Sequence, residues 1–123
     1  MNFEELKTKV EEWAEDKDLL HEENADKQFM KFIEEVFEFK TEMDILVRYR
    51  EYYRENPQKK IPKAEHERIT KKAELELGDV MVTLIVLSKQ LNVDIVECLE
   101  MAYEKISKRK GKTVNGIFYR EDK

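Results

Sequence analysis

The sequence is poor in the residues that interrupt helices or cross-link chains. Its 123 residues include only 3 Gly and 2 Pro, and Cys98 is the one cysteine. So few Gly and Pro residues argue against long disordered linkers and indicate a helical protein. A single cysteine excludes an intrachain disulfide framework, and the apolar helical pattern around Cys98 predicts a buried, reduced thiol.

Long apolar runs and an excess of positive charge are also missing. No apolar run reaches the length that spans a membrane, and residues 1–20 lack the layout of a signal peptide. The net charge of −5 gives no support for DNA or RNA binding. These absences predict a single cytoplasmic domain over residues 1–123, with neither nucleic acid nor a membrane as partner.

Apolar residues at helical spacing predict four helices, over about residues 3–15, 25–56, 64–91 and 95–110. The centre of the third helix, residues 80–87, is apolar nearly all round, which predicts burial on most sides. Beyond Gly111, which is expected to stop the fourth helix, Asn115-Gly116 lies between two short apolar runs and predicts a hairpin over about residues 112–120. The expected fold class is all-α, an antiparallel four-helix bundle with a short C-terminal β-hairpin.

Two acidic motifs interrupt the apolar pattern, Glu34-Glu35-Val36-Phe37-Glu38 and Glu76-Leu77-Gly78-Asp79. Residues three apart share a helix face, so the last two glutamates of the first motif project together, and so do the two acids of the second. If the helices pack face to face, four carboxylates converge and repel one another unless a cation binds. Without metal, we expect raised carboxylate pKa values.

The identity of the expected metal follows from its ligands. Carboxylate oxygens without His or Cys favour Mg²⁺ or Mn²⁺, and such a site suits hydrolysis of a nucleoside triphosphate. Acidic runs on helices are more often solvated faces. The metal interpretation is favoured because the carboxylates adjoin the most apolar segments, and because Gly78 in mid-helix indicates that another group approaches closely.

The ordered set of motifs resembles the MazG-like, all-α nucleoside triphosphate pyrophosphohydrolases, in particular their small phage and Gram-positive bacterial members. The resemblance covers most of the chain. It comprises the EExxE and ExxD motifs and the segments Val10-Glu11-Glu12-Trp13, Gln28-Phe29-Met30-Lys31, Ala102-Tyr103-Glu104-Lys105-Ile106-Ser107-Lys108-Arg109 and Val114-Asn115-Gly116-Ile117-Phe118. It implies hydrolysis of a nucleoside or deoxynucleoside triphosphate to the monophosphate and pyrophosphate, by a homodimer or homotetramer.

The resemblance also implies roles for individual residues. Its metal ligands are Glu35, Glu38, Glu76 and Asp79. Glu34 would orient or deprotonate the attacking water, or contact the metal ligands without binding the metal itself. Lys105 and Arg109 would contact the triphosphate, although cations are also favourable at a helix C-terminus. Lys31 could reach a phosphate or pair with Glu35, and Trp13 is a candidate for base stacking or a core aromatic.

Other classes of protein are less consistent with the sequence. A di-iron carboxylate bundle needs Glu-x-x-His pairs, and neither His21 nor His66 has a glutamate three residues before it. A catalytically inactive helical protein that binds a nucleotide or a regulator is the remaining alternative. The segment between the two motifs is longer than is typical of the family, and its tyrosines, at positions 49, 52 and 53, fit a core or a subunit interface.

Overall fold

The computed structural model describes residues 1–121 and is mostly helical. Its elements are the helices α1 (Phe3–Asp16), α2 (Ala25–Glu55), α3 (Lys63–Gln90) and α4 (Ile95–Ser107), and the strands β1 (Gly111–Val114) and β2 (Ile117–Arg120). A short 3₁₀ turn, Glu22–Asn24, lies within the connection that precedes α2. The predicted helical fold class with a C-terminal hairpin is confirmed. None of these helices combines the length and the apolar run that a membrane crossing needs.

The chain divides into two compact units, one over Met1–Asn92 and one from Val93 onward. The first unit holds α1, α2 and α3, and the second holds α4 and the hairpin. The single domain over residues 1–123 stays a prediction, as does the arrangement of the four helices in a bundle.

Side-chain caps fix the starts of α1 and α4. The Asn2 side-chain oxygen accepts a hydrogen bond of 2.8 Å from the Glu5 backbone N–H. The Asp94 carboxylate accepts from the backbone N–H groups of Val96 and Glu97. Such caps satisfy backbone donors that have no partner within the helix. Both helix starts are therefore fixed by residues next to the helices themselves.

Helices α2 and α3 form a long antiparallel pair, which is the main packing contact of the first unit. Three contacts along its length establish the alignment. The Gln28 side-chain amide donates to the Thr83 carbonyl at 3.1 Å. Lys72 pairs with Glu42 at 3.4 Å, and the Tyr49 and His66 rings stack at 5.7 Å between centroids. A seven-residue connection that contains Pro57 and Pro62 joins the two helices, because proline cannot continue either of them.

The apolar core of the first unit is small. Its buried members are Ala14, Ile69, Ala73, Ile85 and Val86. The predicted burial of residues 80–87 on most sides is only partly correct, because Met81 remains 42% exposed and Leu84 is exposed too. Both α2 and α1 contact α3, but together they cover only part of its surface, so Met81 and Leu84 find no cover within the unit.

The second unit corrects two expectations. Helix α4 ends at Ser107 rather than at Gly111, because Gly111 is already paired with Arg120 in the hairpin ladder. Cys98 is exposed, so the predicted buried thiol is wrong. The hairpin itself is confirmed. Asn115 and Gly116 take φ values of 50° and 78°, the left-handed backbone that a tight two-residue turn requires.

Gly78 lies in the middle of α3 with open space around its Cα atom. Among the described residues, no atom beyond its own helix turn lies within 4 Å of where a Cβ would stand. The expected close approach to Gly78 is therefore wrong for the isolated chain.

We expect Gly78→Ala to raise the free energy of unfolding by about 1 kcal/mol, since alanine loses less backbone entropy in a helix. Chemical denaturation of both proteins measures the difference. A loss of stability in the variant would show that another group does approach this position in solution.

Candidate metal centre

Two turns of the facing helices α2 and α3 present the acidic side chains. Glu35 and Glu38 are three residues apart on α2 and share the face that packs on α3. Glu76 lies opposite them on α3. The helical spacing that the sequence predicts is thus realised, and the long antiparallel pairing brings the two motifs to the same level of the helix pair.

Carboxylate oxygens of Glu35, Glu38 and Glu76, one from each residue, all lie within 4.8 Å of one another. We call these three residues the carboxylate cluster. Glu35 is 8% exposed, Glu76 is half-buried and Glu38 reaches solvent. The cluster therefore has a buried end between the helices and an open end through which a cation can enter.

Two oxygens of the carboxylate cluster are buried without a hydrogen-bond partner in the described chain, Oε2 of Glu35 and Oε2 of Glu76. A buried carboxylate oxygen without a partner is costly, because it has given up water and received nothing in return. The two oxygens belong to carboxylates of like charge on facing helices, which makes the arrangement unfavourable without a cation. A divalent cation would supply the missing partner for both.

Lys31 partly balances the negative charge of the carboxylate cluster. Its ammonium group lies 3.2 Å from Oε1 of Glu35 and 3.8 Å from Oε2 of Glu34. The carboxyl of Glu35 and the charge of Glu34 raise the pKa of Lys31. Of the two roles that the sequence leaves open for Lys31, the pairing with Glu35 is the one observed. This contact uses Oε1 of Glu35 and leaves the buried Oε2 without a hydrogen-bond partner among the described residues.

The pKa of Glu38 is raised. The main cause is the Glu35 carboxyl, which accepts a hydrogen bond from the protonated form of Glu38 and repels its ionised form. Desolvation and the charges of Glu76 and Glu34 act in the same direction. The expectation of raised pKa values in the metal-free site is thus confirmed for Glu38.

The raised pKa gives a stability prediction for metal-free protein. A carboxyl whose pKa is higher in the folded state contributes stability below its unfolded pKa and loses that contribution as pH rises through the folded pKa. The free energy of unfolding of the wild type, relative to Glu38→Gln, should therefore increase as pH falls from 7 to 4. Denaturant titrations of both proteins measure it, and a difference independent of pH would contradict the coupling between the carboxylates.

The remaining candidate residues lie outside the carboxylate cluster. Asp79 is exposed, one turn beyond Glu76, and is not one of the three that converge. Trp13 is half exposed on α1. Lys105 lies in the last turn of α4 and Arg109 follows that helix, so both belong to the second unit.

The ion pair between Glu42 and Lys72 was not expected from the sequence. It lies one turn from the carboxylate cluster, since Glu42 follows Glu38 by four residues and Lys72 precedes Glu76 by four. The side chain of Glu42 is largely buried. Each residue of the pair lies four positions from a glutamate of the carboxylate cluster, and this equal spacing on antiparallel helices could have predicted the ion pair.

The chain was compared with protein-family models, curated proteins and solved structures. None of the three comparisons finds a match.

Proposed function

We propose that the chain is a metal-dependent nucleoside triphosphate pyrophosphohydrolase of the MazG-like type that its motifs resemble. The observation that supports this most is the pair of buried, unpartnered oxygens of Glu35 and Glu76 within a group of three carboxylates. A structural role for these glutamates would place the oxygens in hydrogen bonds or in water. Their present arrangement suits coordination of a cation.

The donor set fits a hard divalent cation. All the donors are carboxylate oxygens, which favours Mg²⁺ or Mn²⁺ over Zn²⁺. Glu35, Glu38 and Glu76 would hold it, and Asp79 would join them from the next turn of α3. When bound, the metal neutralises charge on the phosphates and makes a water molecule more acidic. In this proposal the triphosphate is cleaved between its α and β phosphates.

The chain's own residues would position the water and the substrate. Glu34 lies beside Lys31 on the exposed side of the carboxylate cluster, where it can accept a proton from the attacking water or orient Glu35 through Lys31. We assign Lys105 and Arg109 to the phosphates, because both are cations and the guanidinium group of Arg109 can make bidentate contacts with phosphate oxygens. Trp13 is the proposed surface for the base.

The proposed assembly is an antiparallel four-helix bundle that acts as a homodimer or homotetramer. Support comes from apolar side chains left open on both long helices. Phe37 on α2 is 67% exposed, and Leu77, Met81 and Leu84 form an exposed stripe along α3 at helical spacing. Surfaces of this kind mark contacts with other chains. Cover from another copy would complete the burial that α3 lacks.

The second candidate is a catalytically inactive helical protein that binds a nucleotide or a regulatory partner. The position of Asp79 favours it, because the residue is exposed and only three of the four expected carboxylates converge. A three-carboxylate site can hold a metal and a nucleotide without completing the reaction.

Pyrophosphate release distinguishes the two candidates. The purified protein is incubated with standard, deoxy and modified nucleoside triphosphates, with and without Mg²⁺. We expect release that requires the metal and yields the monophosphate as the other product. Glu38→Gln and Asp79→Asn should abolish release while preserving helicity measured by circular dichroism.

Glu51→Gln is the matched control for this assay. It removes one negative charge from an exposed position of α2, far along the helix from the carboxylate cluster, and should leave release unchanged. Turnover retained in Glu38→Gln would contradict the proposed site. Nucleotide binding without turnover in the wild type would favour the inactive alternative.

A further inference from the structure

A second site lies between α2 and α3, one turn from the carboxylate cluster and toward the connection between the two helices. It is a cavity of about 530 Å³, within the size range of small-molecule sites. We call it the arginine pocket. Its lining includes three cations, two carboxylates and one aromatic ring: Arg48, Arg68, Lys72, Glu42, Glu65 and Tyr49.

The arginine pocket has two cationic groups that the protein leaves without partners. Lys72 is paired with Glu42 at 3.4 Å. By contrast, Arg48 and Arg68 have no ion pair or hydrogen bond among residues 1–121, although they line the same cavity from facing helices. Two guanidinium groups that share a cavity repel each other, and Glu65 offsets only one of the two charges. An anion placed between them would remove the repulsion.

The wall of the arginine pocket is fixed rather than loose. The Tyr49 ring stacks on His66 with an angle of 18° between planes, and its hydroxyl lies 3.5 Å from the Pro62 carbonyl. Ile69, which also lines the pocket, is buried. The cavity therefore has a rigid aromatic and apolar side and a cationic side, a combination that is typical of sites for small anionic ligands.

We propose that the arginine pocket binds a polyphosphate chain. Guanidinium groups match the geometry of phosphate oxygens, and two of them can grip adjacent phosphates. On α3, at 1.5 Å per residue, Lys72 lies about 6 Å and Arg68 about 12 Å from Glu76. A chain of phosphates that begins at the carboxylate cluster would thus run past Lys72 into the pocket. Its identity as the terminal phosphates of a substrate rests on the proposed function.

Calorimetric titration with inorganic pyrophosphate tests this proposal without any reaction. The full chain is freed of metal on a chelating resin and titrated at constant ionic strength. We expect saturable binding that is weakened at least about tenfold in the double variant Arg48→Gln, Arg68→Gln, as loss of charged hydrogen bonds implies. A nucleoside monophosphate, with a single phosphate, should bind more weakly than pyrophosphate.

The matched control is Arg54→Gln, an exposed arginine of α2 that does not line the arginine pocket. It should bind pyrophosphate as the wild type does. Equal binding by the double variant and the wild type, or no binding by the wild type, would overturn the proposal. So would a monophosphate that binds as tightly as pyrophosphate.

Thermal unfolding with Mn²⁺ separates this proposal from the proposed function. The double variant should keep the full stabilisation by Mn²⁺, because its carboxylate cluster is intact. If pyrophosphate binds in the arginine pocket while Mn²⁺ has no effect on any variant, the pocket stands and the pyrophosphohydrolase proposal fails. If Mn²⁺ stabilises the wild type but pyrophosphate does not bind, the metal site is supported and the proposal for the arginine pocket fails.

Discussion

Glu76→Gln should make the metal-free protein more stable and strongly reduce the proposed release of pyrophosphate. Glutamine has the shape of glutamate without its charge, so the variant no longer buries an unpartnered ionised oxygen beside Glu35 and Glu38. We expect the free energy of unfolding to rise by about 1 kcal/mol without metal. Replacing a residue that hydrogen-bonds to a metal ligand typically lowers metal affinity or activity by about 10–100-fold. Replacing a residue that binds the metal directly should therefore lower pyrophosphate release by at least about 100-fold.

The metal dependence of stability completes this prediction. Wild-type protein in Mn²⁺ at about 100 times its dissociation constant should gain about 2.7 kcal/mol, while Glu76→Gln should gain much less. The control Glu51→Gln, with the same change of charge on an exposed face, should respond to Mn²⁺ as the wild type does. Denaturant titrations with and without metal measure all three proteins. A Glu76→Gln protein that is less stable without metal would indicate a structural role for this carboxylate.

Met81→Lys should dissociate the proposed assembly. Met81 lies at the centre of the exposed stripe on α3, between Leu77 and Leu84, and is 42% exposed in the single chain. If a second copy covers this stripe, a buried ammonium group there would have no partner and would be strongly unfavourable. We expect the mass measured by light scattering to fall to that of one chain, 14.9 kDa.

The control for this variant is Gln58→Lys, which adds the same charge at an exposed position of the connection between α2 and α3. It should leave the assembly intact. If the wild type is already a monomer at micromolar concentration, the proposed oligomer is wrong. If Met81→Lys remains assembled and fully active, the contact between copies does not involve this face of α3.

The positions of the helices could be predicted because their signals are local. Asn2 and Asp94 cap the helices that follow them, and Pro57 with Pro62 separates α2 from α3. The Asn115-Gly116 turn determined the hairpin. Only the end of α4 was misplaced. That end depends on the pairing of Gly111 with Arg120, a contact between residues nine positions apart that helical periodicity does not report.

The candidate site could be predicted only in part, because convergence depends on how two helices align. Spacing within one helix placed Glu35 beside Glu38 correctly, and the alignment of α2 with α3 brought Glu76 to them. The same spacing rule groups Asp79 with Glu76, yet Asp79 is exposed and is not among the converging carboxylates. Residues three apart are offset by about 60° around the helix axis, so the packing of the two helices decides whether both of them face the neighbouring helix. A spacing of three residues thus predicts only approximately which side chains share a helix face.

Burial was the least predictable property. The apolar pattern around Cys98 and over residues 80–87 indicates faces that need cover, yet it does not say whether the chain itself supplies that cover. Cys98 and Met81 are exposed. The tyrosines between the two acidic motifs were expected in a core or a subunit interface; they lie on α2, where Tyr49 lines the arginine pocket.

Binding of Mn²⁺ followed by electron paramagnetic resonance tests the central claim most directly, because free and protein-bound Mn²⁺ give signals of different intensity. We predict saturable binding to the wild type, competition by Mg²⁺ and loss of binding in Glu35→Gln, whose carboxylate is the most buried of the three. Mn²⁺ that stays free in the presence of folded wild-type protein, or binds Glu35→Gln equally well, would contradict a metal centre at Glu35, Glu38 and Glu76.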